Sequence, residues 1–332
     1  MRKPVVVVAD PLDPATLKDL HACEVRTCDG RDAVALHTAL READALLIRS
    51  GTRVDEAALA AAPRLRVVAR AGVGLDNVDV EAATRHGVLV ANAPLSNVLS
   101  VAELTIGLVL THMRNVVPAG SALRAGRWER SRHQGIELAG RTVGIVGLGH
   151  VGTLVARRLA AFDVEAIAYD PYVPQSHARS VGVTLTDLDE LMARSDVVTV
   201  HLPKSPATTG LIGDRELRLA KPSMLLVNTA RGGIVDETAL AVALKEERLA
   251  GAALDVFEIE PAVGNPLLDF PNVLATPHLG AGTHEAQGRA GRDAVSAVLR
   301  VLSGERPEHA VNPAVLERAR TSGGSARAGR HN

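Results

Sequence analysis

The segment Gly147-Leu148-Gly149-His150-Val151-Gly152 stands directly after the apolar run Thr142–Val146 and opens a stretch, Thr153-Leu-Val-Ala-Arg-Arg-Leu159, that reads as a helix. Few folds use a strand, a GxGxxG turn and a helix in that order. Gly147 permits the tight turn, Gly149 lets the backbone approach a pyrophosphate, and Gly152 allows the helix to pack closely on the sheet. The N–H groups at the helix start, with the positive end of its dipole, then face the phosphates. His150 and Val151 occupy the variable positions of this cofactor-binding turn, and His150 is expected to point to solvent near the pyrophosphate. The next apolar run ends in Asp170, 23 residues after Gly147, close to the ~20 at which this arrangement places an acid for the ribose hydroxyls. Asp170 would repel a 2′-phosphate, and Pro171-Tyr172-Val173-Pro174 supplies no arginine to reverse that preference, so NAD is expected rather than NADP.

A single dinucleotide-binding unit does not use up 332 residues, and two domains are expected at this length. Short Val/Ile/Leu runs recur with helix-like segments between them, the pattern of βαβ units around parallel sheets. Strands are predicted at 5–10, 45–50, 66–72 and 88–93, then at 142–147, 166–170, 197–202, 224–229, 252–256 and 273–276, so two sheets are implied. A helix over 100–114 would carry the chain from one domain into the next. A second, from Glu285 to Leu302, has no strand after it and would return to the first domain. The expected fold is α/β, with two doubly wound parallel-sheet domains. A Rossmann NAD-binding domain (99–284) is inserted in a discontinuous, flavodoxin-like substrate domain (1–98 and 285–312). From 313 the composition turns to Gly, Ser and Arg, which cannot bury a core, and a disordered tail over 313–332 is expected.

The formal net charge of −1 offers no long-range field to recruit nucleic acid or an anionic membrane, so an anion must be held by a local cluster of cations. Cys23 and Cys28, the two cysteines, show neither CxxC spacing nor a second pair; two reduced thiols and no metal site are expected. The N-terminal apolar run is short and ends in Asp10, and no stretch approaches the ~18 apolar residues of a membrane span. A cytoplasmic protein is expected.

Three predicted strand ends in the second half carry charge where a doubly wound sheet binds ligands. They are Asn228-Thr-Ala-Arg231-Gly-Gly, Asp255-Val-Phe-Glu258-Ile-Glu260-Pro261 and Thr276-Pro-His278-Leu-Gly280. Interconverting a 2-hydroxy acid and a 2-oxo acid needs a cation for the carboxylate, a proton donor for the carbonyl oxygen, and a group that keeps that donor charged and oriented. Arg231 suits the first task through its planar fork, His278 the second, and Glu260 the third. Spacing alone does not show that they meet.

Further runs extend the pattern over the chain: Arg49-Ser50, ARAGVGLDNVD (69–79), SNVLSVAE (96–103), GRWERS (126–131), VGIVGLGHVG (143–152), YDPY (169–172), NTARGGIVDE (228–237), GAALDVF (251–257), Glu260-Pro261 and PHLGA (277–281). In this order they resemble the D-2-hydroxyacid dehydrogenases, and within them the short-form D-3-phosphoglycerate dehydrogenases, over nearly everything up to Asn312. The resemblance implies that Arg231, Glu260 and His278 are catalytic, in a cleft between the domains. It implies NAD contacts around Asp170, Leu202, Thr229, Asp255, His278 and Gly280, with Asp255 near the nicotinamide carboxamide. It places Asn97 and the backbone of Gly72 and Val73 at the substrate carboxylate or cofactor. For a phosphorylated substrate it points to Arg49, with Ser50 beside it, to Arg70, and to Arg130 from a neighbouring subunit of a homodimer whose arm Trp128 would anchor. The reaction implied is NAD-dependent oxidation of 3-phosphoglycerate to 3-phosphooxypyruvate, the first step of serine biosynthesis, without the serine-sensing domains that many relatives carry. Gly51, where the family more often has Ala, and Gly282, where it has Ser, leave room for another 2-hydroxy acid: one related to 2-oxoglutarate, glyoxylate or hydroxypyruvate, or a phosphonate analogue. Some relatives serve instead as NAD(H)-sensing corepressors, a reading that the complete Arg/Glu/His set opposes.

Overall fold

The computed structural model describes residues 2–317. The chain forms two compact units, one made of Met1–Asn97 together with the chain from Thr283 onward, the other of Val98–Gly282.

In the first unit β1 (Val5–Val8), β2 (Glu24–Thr27), β3 (Ala45–Ile48), β4 (Val67–Arg70) and β5 (Leu89–Ala91) form a parallel sheet in the order β2-β1-β3-β4-β5. This is the flavodoxin-like order. β1 and β3 are buried along their whole length, which is why they read as unbroken apolar runs rather than alternating ones. One face packs against Leu36, Leu40, Leu59 and Ala82. The other packs against Ala290, Ala294, Val295 and Val298 of the returning helix His284–Ser303. β2 was not foreseen in the sequence: it is an exposed edge strand carrying Glu24 and Arg26, so it lacks the apolar run that marks its neighbours.

After the returning helix the chain closes on this sheet again. Ala310 bridges Ala91, and Asn312 accepts from Val90 N at 2.8 Å while donating to Val88 O at 3.0 Å and Thr84 Oγ1 at 2.9 Å. The expected disordered tail begins too early. Pro313–Glu317 form a further turn and Val315 is buried in the first core, because an apolar Val315-Leu316 pair precedes the Gly/Ser/Arg stretch. The remainder of that tail lies outside the described residues.

The second unit contains β6 (Thr142–Val146), β7 (Glu165–Tyr169), β8 (Thr184–Leu185), β9 (Val197–Val200), β10 (Leu225–Asn228), β11 (Gly251–Leu254) and β12 (Val273–Ala275). Their order is β12-β11-β10-β9-β6-β7-β8, all parallel. Counted within the unit, this is the Rossmann order with a seventh strand at one edge. Val109 and Met113 of helix Val98–Met113 cover one face over Val143, Ile145 and Val227, and Leu217, Leu240 and Leu244 cover the other over Val198 and Leu226. Each such side chain, fully buried, contributes about 1.5–3 kcal/mol. β8, also unforeseen, is a two-residue edge. The crevice of the sheet opens where the order reverses, between β6 and β9, so the loops after these strands and after β10–β12 are where ligands are expected.

Candidate active site

The loop after β6 is shaped by its glycines. Gly147 has φ +97°, and a Cβ there would lie 2.8 Å from Leu202 Cδ2 and 2.9 Å from the His201 carbonyl. This also places Leu202 against the turn. A Cβ at Gly152 would overlap the Gly147 carbonyl, whereas a Cβ at Gly149 would meet nothing within 4 Å. Gly149 is the N-cap of helix His150–Leu159 and supplies no capping side chain for the N–H groups of the first turn. Such a terminus suits an anion. His150 is exposed and Val151 half-buried at this start. Asp170 accepts from Leu148 N at 2.9 Å through Oδ2, and from Tyr172 N at 3.0 Å and Val173 N at 3.2 Å through Oδ1. The acid at the end of β7 is thereby tied to the loop that would hold the phosphates, and the residues present fit a dinucleotide.

The three charged loops meet in the same unit. His278 Nδ1 lies 2.7 Å from Glu260 Oε2, and Glu260 Oε1 accepts from Phe257 N at 3.1 Å. Both oxygens of Glu260 are thus engaged, one fixing its own loop and the other the imidazole. His278 has φ +53°, and its backbone N–H donates to the carbonyls of Asp255 and Thr276 at 2.9 and 3.0 Å. A residue held in the left-handed region without being glycine costs of order 1–3 kcal/mol and persists only where its surroundings fix it. Arg231 lies half-buried on the neighbouring turn, where Asn228 accepts from Ala230 N at 3.0 Å and donates to Arg231 O at 2.9 Å. Gly232 then presses on the 257–258 peptide so closely that any Cβ would overlap the Phe257 carbonyl. The arginine turn, the glutamate loop and the histidine are thereby in one contiguous assembly.

Two of the expected cofactor residues are buried. Asp255 is fully buried; its Oδ1 accepts from Thr276 Oγ1 at 2.6 Å and Leu279 N at 2.7 Å, and its Oδ2 from Gly280 N at 2.8 Å. Its carboxylate fixes the loop that carries His278, because a buried charge requires donors and the loop's own N–H groups are the nearest. Gly280 is buried by the same contact. Thr229 is also buried, its hydroxyl 2.8 Å from that of Thr105 on helix Val98–Met113.

In the first unit, Arg49 and Arg70 stand half-buried at the ends of β3 and β4. Arg49 N donates to Asp10 Oδ2 at 2.6 Å and its Nη1 lies 3.4 Å from Pro11 O. Arg70 Nε donates to Asn77 Oδ1 at 2.9 Å, and Arg70 Nη1 lies over Gly72, 2.5 Å from where a Cβ would stand. Ser50 is exposed beside Arg49. The Val73 carbonyl accepts from Asn92 Nδ2 at 2.7 Å. Asn97 follows a turn closed by Ser96 Oγ on Ala93 O and by Arg289 Nε on Ser96 O, both at 2.8 Å. Arg130 belongs to the second unit, on an exposed turn Arg130–His133 next to Trp128, which is 78% exposed. Asp10, Asn77 and Asn228 stand out little in the sequence; the two asparagines lie inside the GLDNVD and NTARGG runs, where a carboxamide beside glycines or arginine is the available signal. Among the described residues no group of His, Cys, Asp and Glu could hold a metal ion, and no helix is long and apolar enough to cross a membrane.

Residues 106–280 match the model of the D-isomer specific 2-hydroxyacid dehydrogenase NAD-binding domain. The chain belongs to this family. D-3-phosphoglycerate dehydrogenase of Mycobacterium tuberculosis strain H37Rv is 52% identical over 313 residues, which are 94% of this chain and 59% of the relative. The enzyme of the same name from Methanocaldococcus jannaschii is 46% identical over 309 residues, 92% of this chain and again 59% of the relative. This family member thus spans about 59% of the length of these curated relatives. Among solved structures, the TT0316 protein of Thermus thermophilus superposes with a TM-score of 0.84 at 33% identity, over 92% of this chain and 99% of that one. The NADPH-dependent glyoxylate/hydroxypyruvate reductase of Sinorhizobium meliloti, solved with NADP and malonate, gives 0.83 at 31% identity over 93% and 97%. The likeness to both covers the two α/β units, and the GxGxxG loop described above lies in the NAD-binding domain of a 2-hydroxyacid dehydrogenase.

Proposed function

We propose that this dehydrogenase oxidises 3-phosphoglycerate to 3-phosphooxypyruvate with NAD as hydride acceptor, a reading supported by the name D-3-phosphoglycerate dehydrogenase that its 52%-identical relatives carry. The observation that carries the chemistry is the His278–Glu260 pair at 2.7 Å, joined through Gly232 to the turn of Arg231. NAD, when bound, supplies the hydride acceptor. Arg231 holds the substrate carboxylate through its fork. His278 takes the hydroxyl proton as hydride leaves C2, and returns it in the reverse direction. Glu260, bound to Nδ1, fixes the ring so that Nε2 is the nitrogen presented to substrate; among the described residues Nε2 has no hydrogen-bond partner. Asp170 receives the adenosine ribose and disfavours a 2′-phosphate, so NAD is preferred to NADP. Arg49 and Arg70 take the phosphate, with Ser50 beside them, and the Gly72-Val73 backbone and Asn97 complete substrate binding.

The proposed assembly is a cytoplasmic homodimer in which the exposed Trp128 is covered by a second subunit and Arg130 serves the neighbour's substrate. A large aromatic left open to water is what such an arm presents before pairing. The test is NADH oxidation with 3-phosphooxypyruvate beside pyruvate, glyoxylate, hydroxypyruvate and 2-oxoglutarate. Preference for the phosphorylated acid is the expected result. Equal or better turnover of another acid would keep the reaction class and overturn the substrate.

A further inference from the structure

The turn after β3 is held by two side chains that divide its polar groups between them. Asp10 Oδ2 accepts the backbone N–H groups of Arg49 at 2.6 Å and Thr52 at 3.2 Å. Asn77 Nδ2 donates to the carbonyls of the same two residues, at 2.8 Å to Arg49 O and 2.5 Å to Thr52 O. Each side chain has the polarity its half requires: an acceptor for the N–H groups, a donor for the carbonyls. Asn77 is itself fixed, since its backbone carbonyl accepts from Val54 N at 2.9 Å where Val54 and Val78 bridge.

With both amide hydrogens committed to carbonyls, the Asn77 side-chain oxygen can only face the other way, and there it accepts from Arg70 Nε at 2.9 Å. Anchoring an arginine through Nε sets the plane of its guanidinium. One carboxamide therefore fixes the backbone of Arg49 and the guanidinium of Arg70 together. Gly51 belongs to the same arrangement: a Cβ at that position would lie 2.5 Å from Asp10 Oδ1.

We propose that Asn77 is a positioning residue that joins Arg49 and Arg70 into one anion-binding element and so selects a phosphorylated over an unphosphorylated 2-oxo acid. The inference rests on the substrate reading given above. An aspartate at 77 would turn a carboxylate oxygen toward two carbonyls and leave both without donors. It would also set a negative charge against Arg70 Nε and reduce the positive charge offered to a dianion.

The experiment measures kcat and KM for 3-phosphooxypyruvate and for hydroxypyruvate in the whole enzyme, comparing wild type with Asn77→Asp and Asn77→Ser. Circular dichroism and NADH titration serve as checks of folding. The expected result is a KM for the phosphorylated acid raised about tenfold or more in Asn77→Asp, with kcat and the hydroxypyruvate KM within about threefold of wild type. Asn77→Ser, smaller and uncharged, should fall between; it carries the test if the aspartate variant does not fold. A wild type without preference for the phosphorylated acid would overturn the substrate reading and this inference with it. A wild type that prefers the phosphorylated acid, with variants that lose both substrates equally or keep the preference intact, would overturn this inference alone.

Discussion

Gly232 and Phe257 touch backbone to backbone: the space a Cβ would take at 232 is already filled by the Phe257 carbonyl. This contact couples the turn that carries Arg231 to the loop that carries Glu260, and neither side chain is needed to make it. Gly232→Ala should therefore act on the reaction through main-chain displacement, since a rigid peptide cannot yield as a flexible side chain does. Overpacking of this kind typically costs about 1–3 kcal/mol, which in a domain of this size lowers Tm by roughly 2–4 °C per kcal/mol. We expect a folded protein of lower Tm whose kcat falls by about tenfold or more, because displacement of about 1 Å in a catalytic group can cost about a hundredfold. Scanning calorimetry and steady-state kinetics check it. Wild-type kcat in the variant would show that the two loops are not coupled there.

The coupling explains how far the sequence could be read. Strands buried on both faces, such as β1, β3 and β9, announce themselves as apolar runs, and GxGxxG followed by Asp170 marks the turn between β6 and its helix from spacing alone. The edge strands β2 and β8 escape because only the interior demands apolar residues. Arg231, Glu260 and His278 could be chosen from chemistry, but their assembly depends on contacts between loops far apart in sequence. Asp255 shows the limit most clearly. Nothing next to it in sequence shows the donors that the fold sets around its carboxylate, Thr276 Oγ1 and the N–H groups of Leu279 and Gly280.

For the acid–base pair, His278→Asn should remove the proton-transfer group while leaving the phosphate loop and Asp170 untouched. A loss of about 10²–10⁴ in kcat is expected, with NADH affinity within about threefold of wild type. Glu260→Gln keeps the shape of the loop and a hydrogen-bonding group near Nδ1 but removes the charge, so the loss should be smaller. Rapid-quench or steady-state kinetics beside NADH fluorescence titration distinguish the two effects. Undiminished turnover in His278→Asn would end its assignment as the proton donor.

Asp170 has two tasks in the structure, accepting from Leu148 N within the GxGxxG loop and standing where the ribose is expected. Asp170→Ala should weaken NADH binding through both. NADPH binding should suffer less, because the lost loop contact is offset by removal of the charge that opposes a 2′-phosphate. The ratio of the two dissociation constants is the informative quantity, and we expect discrimination to fall by about tenfold, near 1.4 kcal/mol. An unchanged ratio would mean that another group reads the ribose.

His201, at the end of β9 and against Gly147, is held neutral: burial pushes its imidazole down to about 3. Its Nδ1 is sealed from solvent and has no partner among the described residues, while Nε2 lies 3.0 Å from the buried Thr199 hydroxyl. In the unfolded chain the same ring titrates near ~6.5. Between those values the unfolded state binds the extra proton, so stability rises with pH across the interval. The contribution is complete above about 6.5 and is lost as pH falls toward 3; a shift of this size amounts to something on the order of a few kcal/mol. His201→Asn, which cannot titrate, should therefore flatten the fall of Tm between about pH 6.5 and 4 relative to wild type. Thermal melts at a series of pH values give the slope directly, and parallel curves for the two proteins would show that His201 is not the group whose protonation the fold resists.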